Sequence, residues 1–236
     1  MAGQWQELTV DGRTMGAFVA SPDGSGPFPA MVVIQHATGV DRFIEETAQR
    51  FADEGYLAVA PNLYHRQDPN SGESGSERRQ KLLDKEVIAD VNAAVDYINA
   101  TAAANDRIGI IGFCMGGRVA YLMPAVNSAF KAGVACYGGN TKAAWGEGGR
   151  TPFDLLTEVG CPILGLFGED DGNPSPQDMK EMDERLTQHG KEHEFHSYPG
   201  AGHAYLDYTN EKFYREAAAT ASWPIALDFL ARQLRG

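Results

Sequence analysis

The stretch from 107 to 117, RIGIIGFCMGG, decides how this chain is read. RIGIIGF is a continuous apolar run of the kind that forms a strand covered on both faces. The residues after Cys114 take up a helical pattern, so Cys114 stands on a strand-to-helix turn. A side chain there needs small neighbours two residues to either side, because the turn crowds its backbone against adjacent elements. Gly112 and Gly116 supply them, giving G-x-C-x-G, the cysteine form of the G-x-S-x-G nucleophile elbow. A dinucleotide fingerprint is excluded, since G-x-G-x-x-G would need glycine where Cys114 stands. Taken alone, the motif leaves two readings open: a nucleophile, or a small core residue at a tight connection.

Outward from that turn the pattern alternates. QWQELTV and RTMGAFVAS flank Asp11-Gly12, a hairpin signal. AMVVIQ and YLAVAP read as buried strands, separated by a helix from Asp41 to Glu54 that Gly55 ends. Residues 62 to 76 are polar and predict a loop, and a long helix is expected over 77 to 103. After residues 115 to 127, which read as helix, KAGVACYG, CPILGLFG and HEFHSYP read as strands. The helix SPQDMKEMDERLTQHG has Ser175 as its cap, and a last helix over 213 to 234 is expected to break near Pro224. Strands alternating with helices predict an α/β fold of three layers: a mostly parallel sheet with an N-terminal antiparallel hairpin and helices on both faces. No shift in composition divides the chain, so one domain over 1–236 is expected.

The 236 residues carry a formal net charge of −12, which argues against nucleic acid or an anionic membrane as partner. The N-terminal residues lack a basic and an apolar region of signal-peptide type, and every apolar run is too short to span a bilayer. A cytoplasmic protein is expected, monomeric or weakly self-associating. Three cysteines without a CxxC pair suggest neither a disulfide framework nor a zinc site. Cys136 and Cys161 lie in strands and read as core. His189, His193 and His196 are close in sequence, but His193 and His196 point to opposite faces of a strand, so no metal site is expected.

A cysteine nucleophile needs a base, and the base an orienting acid, in the chain order nucleophile, acid, base for this architecture. The acid belongs past a later strand at the carboxyl edge of the sheet, where ILGLFG runs into Glu169-Asp170-Asp171. The base belongs past the last strand, where Gly-Ala-Gly precedes His203. Both positions are filled, which favours the nucleophile reading of Cys114.

GFCMGGRVAY, LFGEDDGNPSP and YPGAGHAYLDY together resemble the dienelactone hydrolase family of α/β-hydrolases, and QHATGVDRF and PNLYHR match its layout. The resemblance covers about residues 7 to 233. It implies ester or lactone hydrolysis by a Cys-Asp-His triad with no cofactor and no metal, on a small-molecule ester or lactone substrate. Matched by position, Cys114 is the nucleophile, His203 the base and Asp171 the acid, with Asp170 as the alternative acid. The oxyanion would be held by the backbone N–H groups of Met115 and Ala37.

Two positions depart from the family pattern. Its best-known members carry a glutamate where His36 stands and a carboxylate-binding arginine where Asp207 stands. An acidic residue at 207 would repel an anionic substrate, so a neutral or differently oriented ester is expected, with dienelactone-type chemistry retained. Arg66, Arg78 and Arg79 are the remaining sources of positive charge. His36 is expected to pair with Cys114 or touch substrate, and Tyr64, Tyr137 and Trp145 are candidate pocket walls. A broad carboxylesterase acting on aromatic esters and a non-catalytic small-molecule binder on the same fold are the alternative functions.

Overall fold

The computed structural model describes residues 3–235. The N-terminal hairpin forms as expected: β1 (Gln4–Val10) and β2 (Arg13–Ala20) pair antiparallel across Asp11 and Gly12, both at positive φ. Two parallel strands follow, β3 (Phe28–Ile34) and β4 (Leu57–Pro61), with helix α1 (Arg42–Asp53) between them. Asp41 caps α1, its Oδ1 accepting the N–H groups of Phe43 at 3.1 Å and Ile44 at 3.4 Å.

The region from 75 to 100 differs from the expected single helix. It forms a short α2 (Gly75–Gln80) and a separate α3 (Asp84–Ala100). The break falls where Asp84 turns away to bond a distant loop: its N–H donates to Trp145 O at 2.8 Å and its carboxylate accepts from Arg118 and from Trp145 N–H. Leu82 is buried beside the break, so the apolar spacing that suggested one helix serves packing at a turn.

The remaining elements are β5 (Ala104–Phe113), α4 (Met115–Val126), β6 (Phe130–Cys136), a one-turn α5 (Pro152–Leu155), β7 (Ile163–Gly168), α6 (Pro176–Gln188), β8 (His193–Tyr198) and α7 (Glu216–Leu234). The last helix starts three residues later than expected and runs on through Pro224. The lost backbone bond is offset by the buried face on either side of it, Ala218, Ala219, Ser222, Ala226, Phe229 and Leu230.

The eight strands lie in the order β1-β2-β4-β3-β5-β6-β7-β8, parallel from β4 onward. Alternate residues of β3 show how the layers form. Ala30, Val32 and Ile34 pack with α3, α4 and α6, while Met31 and Val33 pack with α1 and α7. Among the described residues no helix is long and apolar enough to cross a membrane. Because β3, β5, β6, β7 and β8 run parallel, the residues following each of them gather at one edge of the sheet.

Candidate active site

Cys114 follows β5 directly and caps α4 with φ 56° and ψ −115°, a conformation that L-residues rarely hold. Two close approaches enforce it. A Cβ on Gly112 would lie 1.9 Å from Gly116 O, and one on Gly116 would lie 2.6 Å from both Ile34 O and Gln35 O. The turn therefore exists only with glycine at both places, which is the physical content of the motif. Cys114 N–H donates to Cys136 O at 3.1 Å, pinning the elbow to β6. Its side chain is partly exposed, whereas Cys136 and Cys161 are buried, and burial pushes their thiols well up, Cys161 to about 12. Met115 opens α4, so its N–H has no acceptor within the helix.

His203 and Asp171 meet across two loops. His203 Nδ1–H donates to Asp171 Oδ2 at 2.8 Å, and the Asp171 side chain is almost wholly buried. The loops lock onto each other through Asp170 N–H to Ala201 O at 2.9 Å and Glu169 N–H to Tyr198 O at 3.1 Å. A Cβ on Gly168 would strike Ala201 O at 2.3 Å, so the acid loop can approach the base loop this closely only with glycine there. Asp170 is exposed and uses its backbone, not its carboxylate, in this contact. Asp171 is thus the carboxylate that touches His203. Burial alone would lower the His203 pKa. The hydrogen bonds to Asp171 and Cys114 and their charges outweigh it and raise the pKa to about 10.

A cavity of about 200 Å³ opens over this group, lined by Cys114, Met115, His203, Arg79, Arg118, Trp145, Asn140 and Asn173 among others. Asn173 supports the far wall: its Oδ1 accepts Asn140 N–H at 2.9 Å, and its own N–H donates to Asp171 Oδ1 at 2.8 Å. Arg79 and Trp145 are on the wall of this cavity. Arg79 has no carboxylate partner among the described residues.

The other pocket candidates lie elsewhere. Arg66 forms a two-oxygen ion pair with buried Asp90 at 2.6 and 2.7 Å and ties the β4–α2 loop to α3. Arg78 stacks over the Tyr64 ring at 4.5 Å. Tyr137 is buried at the end of β6 with its ring 5.3 Å from that of His203, against the imidazole. Tyr64 Oη donates to Ala37 O at 2.9 Å and lies 3.3 Å from Met115 Sδ, so one phenol spaces the two backbone positions expected to hold the oxyanion. Burial holds that phenol up to about 12, which keeps it a donor.

His36 bonds away from Cys114. Its Nε2–H and Thr38 Oγ1–H both donate to Asp41 Oδ2 at 2.7 Å, and its Nδ1 faces Asp207 at 4.0 Å. Burial would raise the Asp41 carboxyl, but the bonds from His36 and Thr38 hold it below its usual value. Asp207 is itself buried, its Oδ1 accepting from the Thr209 hydroxyl at 2.6 Å. His36 therefore fixes the loop that carries Ala37. His36→Ala is expected to lower stability by about 1–3 kcal/mol, measured by urea unfolding, and to leave Cys114 alkylation by iodoacetamide within about twofold. A tenfold change in alkylation at unchanged stability would return His36 to a role at the thiol.

Sequence reasoning missed Arg118, Asp84, Asn140 and Asn173. Arg118 left one signal: a charge at the head of the apolar run VAYLMPAV, four residues from Cys114, which demands a buried partner.

The profile of the dienelactone hydrolase family matches residues 15–234. The chain belongs to that family. A Methylorubrum extorquens protein named "Putative carboxymethylenebutenolidase" is 37% identical over 233 residues, covering 94% of this chain and 78% of the relative. A Bradyrhizobium protein named "Probable 2-oxo-3-(5-oxofuran-2-ylidene)propanoate lactonase" is 31% identical over 243 residues, covering 100% of this chain and 96% of its own. A crystal structure titled as a "Putative Dienelactone Hydrolase" from Klebsiella pneumoniae superimposes with a TM-score of 0.90 at 32% identity, covering 98% of both chains. Like that structure, this dienelactone hydrolase family member has the α/β-hydrolase fold.

Proposed function

We propose that this family member hydrolyses a carboxylic ester or lactone with Cys114 as nucleophile, His203 as base and Asp171 as the orienting acid. The observation that carries the reading is the 2.8 Å bond from His203 Nδ1 to buried Asp171, beside a cysteine held at positive φ on the elbow. That bond fixes the tautomer that leaves Nε2 for the Cys114 proton. The Cys114 sulfur, its proton already held on His203, attacks the carbonyl carbon. The oxyanion that forms accepts from the N–H groups of Met115 and Ala37, each worth about 3 kcal/mol in the transition state. Collapse breaks the C–O bond, and His203 gives its proton to the departing oxygen. Water, deprotonated by His203, then attacks the thioester and releases the acid and the cysteine.

The cavity bears on the substrate. The expectation of a neutral ester rests on Asp207 standing where it would repel an anion. Asp207 lies behind His36, off the cavity, and Arg79 lines it without a carboxylate partner. We therefore favour an ester or lactone that carries an anionic group within reach of Arg79. Comparing kcat/KM for a carboxylate-bearing dienelactone with that for a neutral short-chain aryl ester tests this. Arg79→Gln is expected to raise KM for the anionic substrate about 10- to 100-fold and to change KM for the neutral one by less than about threefold. Equal losses on both substrates would show that Arg79 does not read charge.

A further inference from the structure

Five of the twelve residues from 138 to 149 are glycine, so this wall of the cavity has little conformational order of its own. It is nevertheless held at one point by an unusual device. Arg118, on α4, is 0% exposed. Its guanidinium makes a forked pair with Asp84, NH1 to Oδ1 at 2.6 Å and NH2 to Oδ2 at 3.0 Å. The same group donates to two loop carbonyls, Ala143 O at 2.6 Å and Asn140 O at 3.3 Å, and lies 4.0 Å over the Trp145 ring. Asp84 closes the circuit from the other side, its Oδ2 accepting Trp145 N–H at 2.8 Å while its own N–H donates to Trp145 O at 2.8 Å. Burying a charge without exposure is unfavourable unless its donors are satisfied, and here they are satisfied in equal number by Asp84 and by the loop carbonyls. Lysine could neither fork onto Asp84 nor stack on the indole.

From this geometry we infer that Trp145 is the specificity-determining wall of the cavity, and that Arg118 and Asp84 are positioning residues which hold its indole in one place. The inference rests on the hydrolase reading above and adds to it the residue that limits the size of the group beside the reacting carbonyl. A wall built on a glycine-rich loop would otherwise yield to a bulkier ester. Stapled at both its backbone and its ring, Trp145 cannot.

The test measures the ratio of kcat/KM for p-nitrophenyl benzoate to that for p-nitrophenyl acetate, which cancels any loss common to both. Trp145→Ala is expected to raise that ratio about tenfold or more. Arg118→Met and Arg118→Lys are expected to raise it in the same direction. Neither is expected to raise it further in the Trp145→Ala background, because the staple acts only through the indole. Acrylamide quenching of Trp145, isolated by difference against Trp145→Phe, is expected to increase in both Arg118 variants. If Arg118→Met does not fold, Arg118→Lys and Asp84→Asn carry the same measurements. An unchanged ratio in Trp145→Ala overturns the wall. A wild-type ratio and wild-type quenching in Arg118→Lys overturn the staple. A wild-type protein that cleaves neither these esters nor the carboxylate-bearing dienelactone removes the hydrolase reading and the inference with it, an outcome distinct from hydrolysis whose selectivity ignores Trp145.

Discussion

Cys114→Ala is expected to lower kcat for ester hydrolysis by about 10⁴-fold or more, with the fold intact. The size of the effect follows from what the residue does: removing the nucleophile removes the covalent route, and only the binding and oxyanion contributions remain. The fold should survive because the elbow depends on Gly112 and Gly116, whose contacts are with backbone atoms of β3 and α4 and not with the thiol. Alanine at 114 must still adopt φ 56°, so a modest loss of thermal stability is expected alongside the catalytic loss. Rates with p-nitrophenyl acetate, read with the circular dichroism melt, separate the two. Near-wild-type turnover would exclude Cys114 as nucleophile.

Asp171→Asn is expected to cost about 10³- to 10⁴-fold in kcat while KM changes little. Asparagine can keep the side chain in place, yet it presents an N–H where a carboxylate was needed and favours the wrong imidazole tautomer. The pH dependence should move with it. His203 is raised from 6.5 to about 10, with Asp171 and Cys114 as the groups that overcome burial. Protonated His203 is the proton source for the leaving oxygen, so kcat/KM should hold through neutral pH and fall as pH rises through about 10. In Asp171→Asn that basic limb should shift downward. Stability follows the same linkage. A group whose folded pKa is raised stabilises the fold fully below its unfolded value, here 6.5, and the contribution is lost as pH climbs through about 10. About a third of the His203 side chain is exposed, so solvent screens part of this contribution. The melting temperature of the wild type should decline across that window more steeply than that of Asp171→Asn. A basic limb unmoved by the substitution would mean that Asp171 does not set the state of His203.

The parts of this molecule that were legible in the sequence are those written in local rules. The strand-turn-helix at Cys114 follows from two glycines, the cap of α6 from Ser175, and the places of Asp171 and His203 from strand order. What was not legible depends on partners far apart in the chain. The break between α2 and α3 comes from Asp84 answering Arg118, 34 residues on, and Trp145 beyond it. His36 misled because its position beside Ala37 suggested the thiol, whereas Asp41, five residues away, takes its hydrogen bond. Asp207 misled in the same way: a position in the chain near the base did not reveal a carboxylate turned inward toward His36 and Thr209. Arg66, Arg78 and Arg79 look alike in sequence, and only the placement of Asp90 and Tyr64 leaves Arg79 on the cavity.

The central claim is a covalent acyl group on one sulfur. Mixing the protein with an activated ester, quenching in acid within milliseconds and weighing the intact chain tests it directly. The account predicts one added acyl mass, located by digestion on the peptide containing Cys114, formed before steady-state release of product and absent in Cys114→Ala. Turnover at the wild-type rate with no acyl mass on that peptide would contradict it.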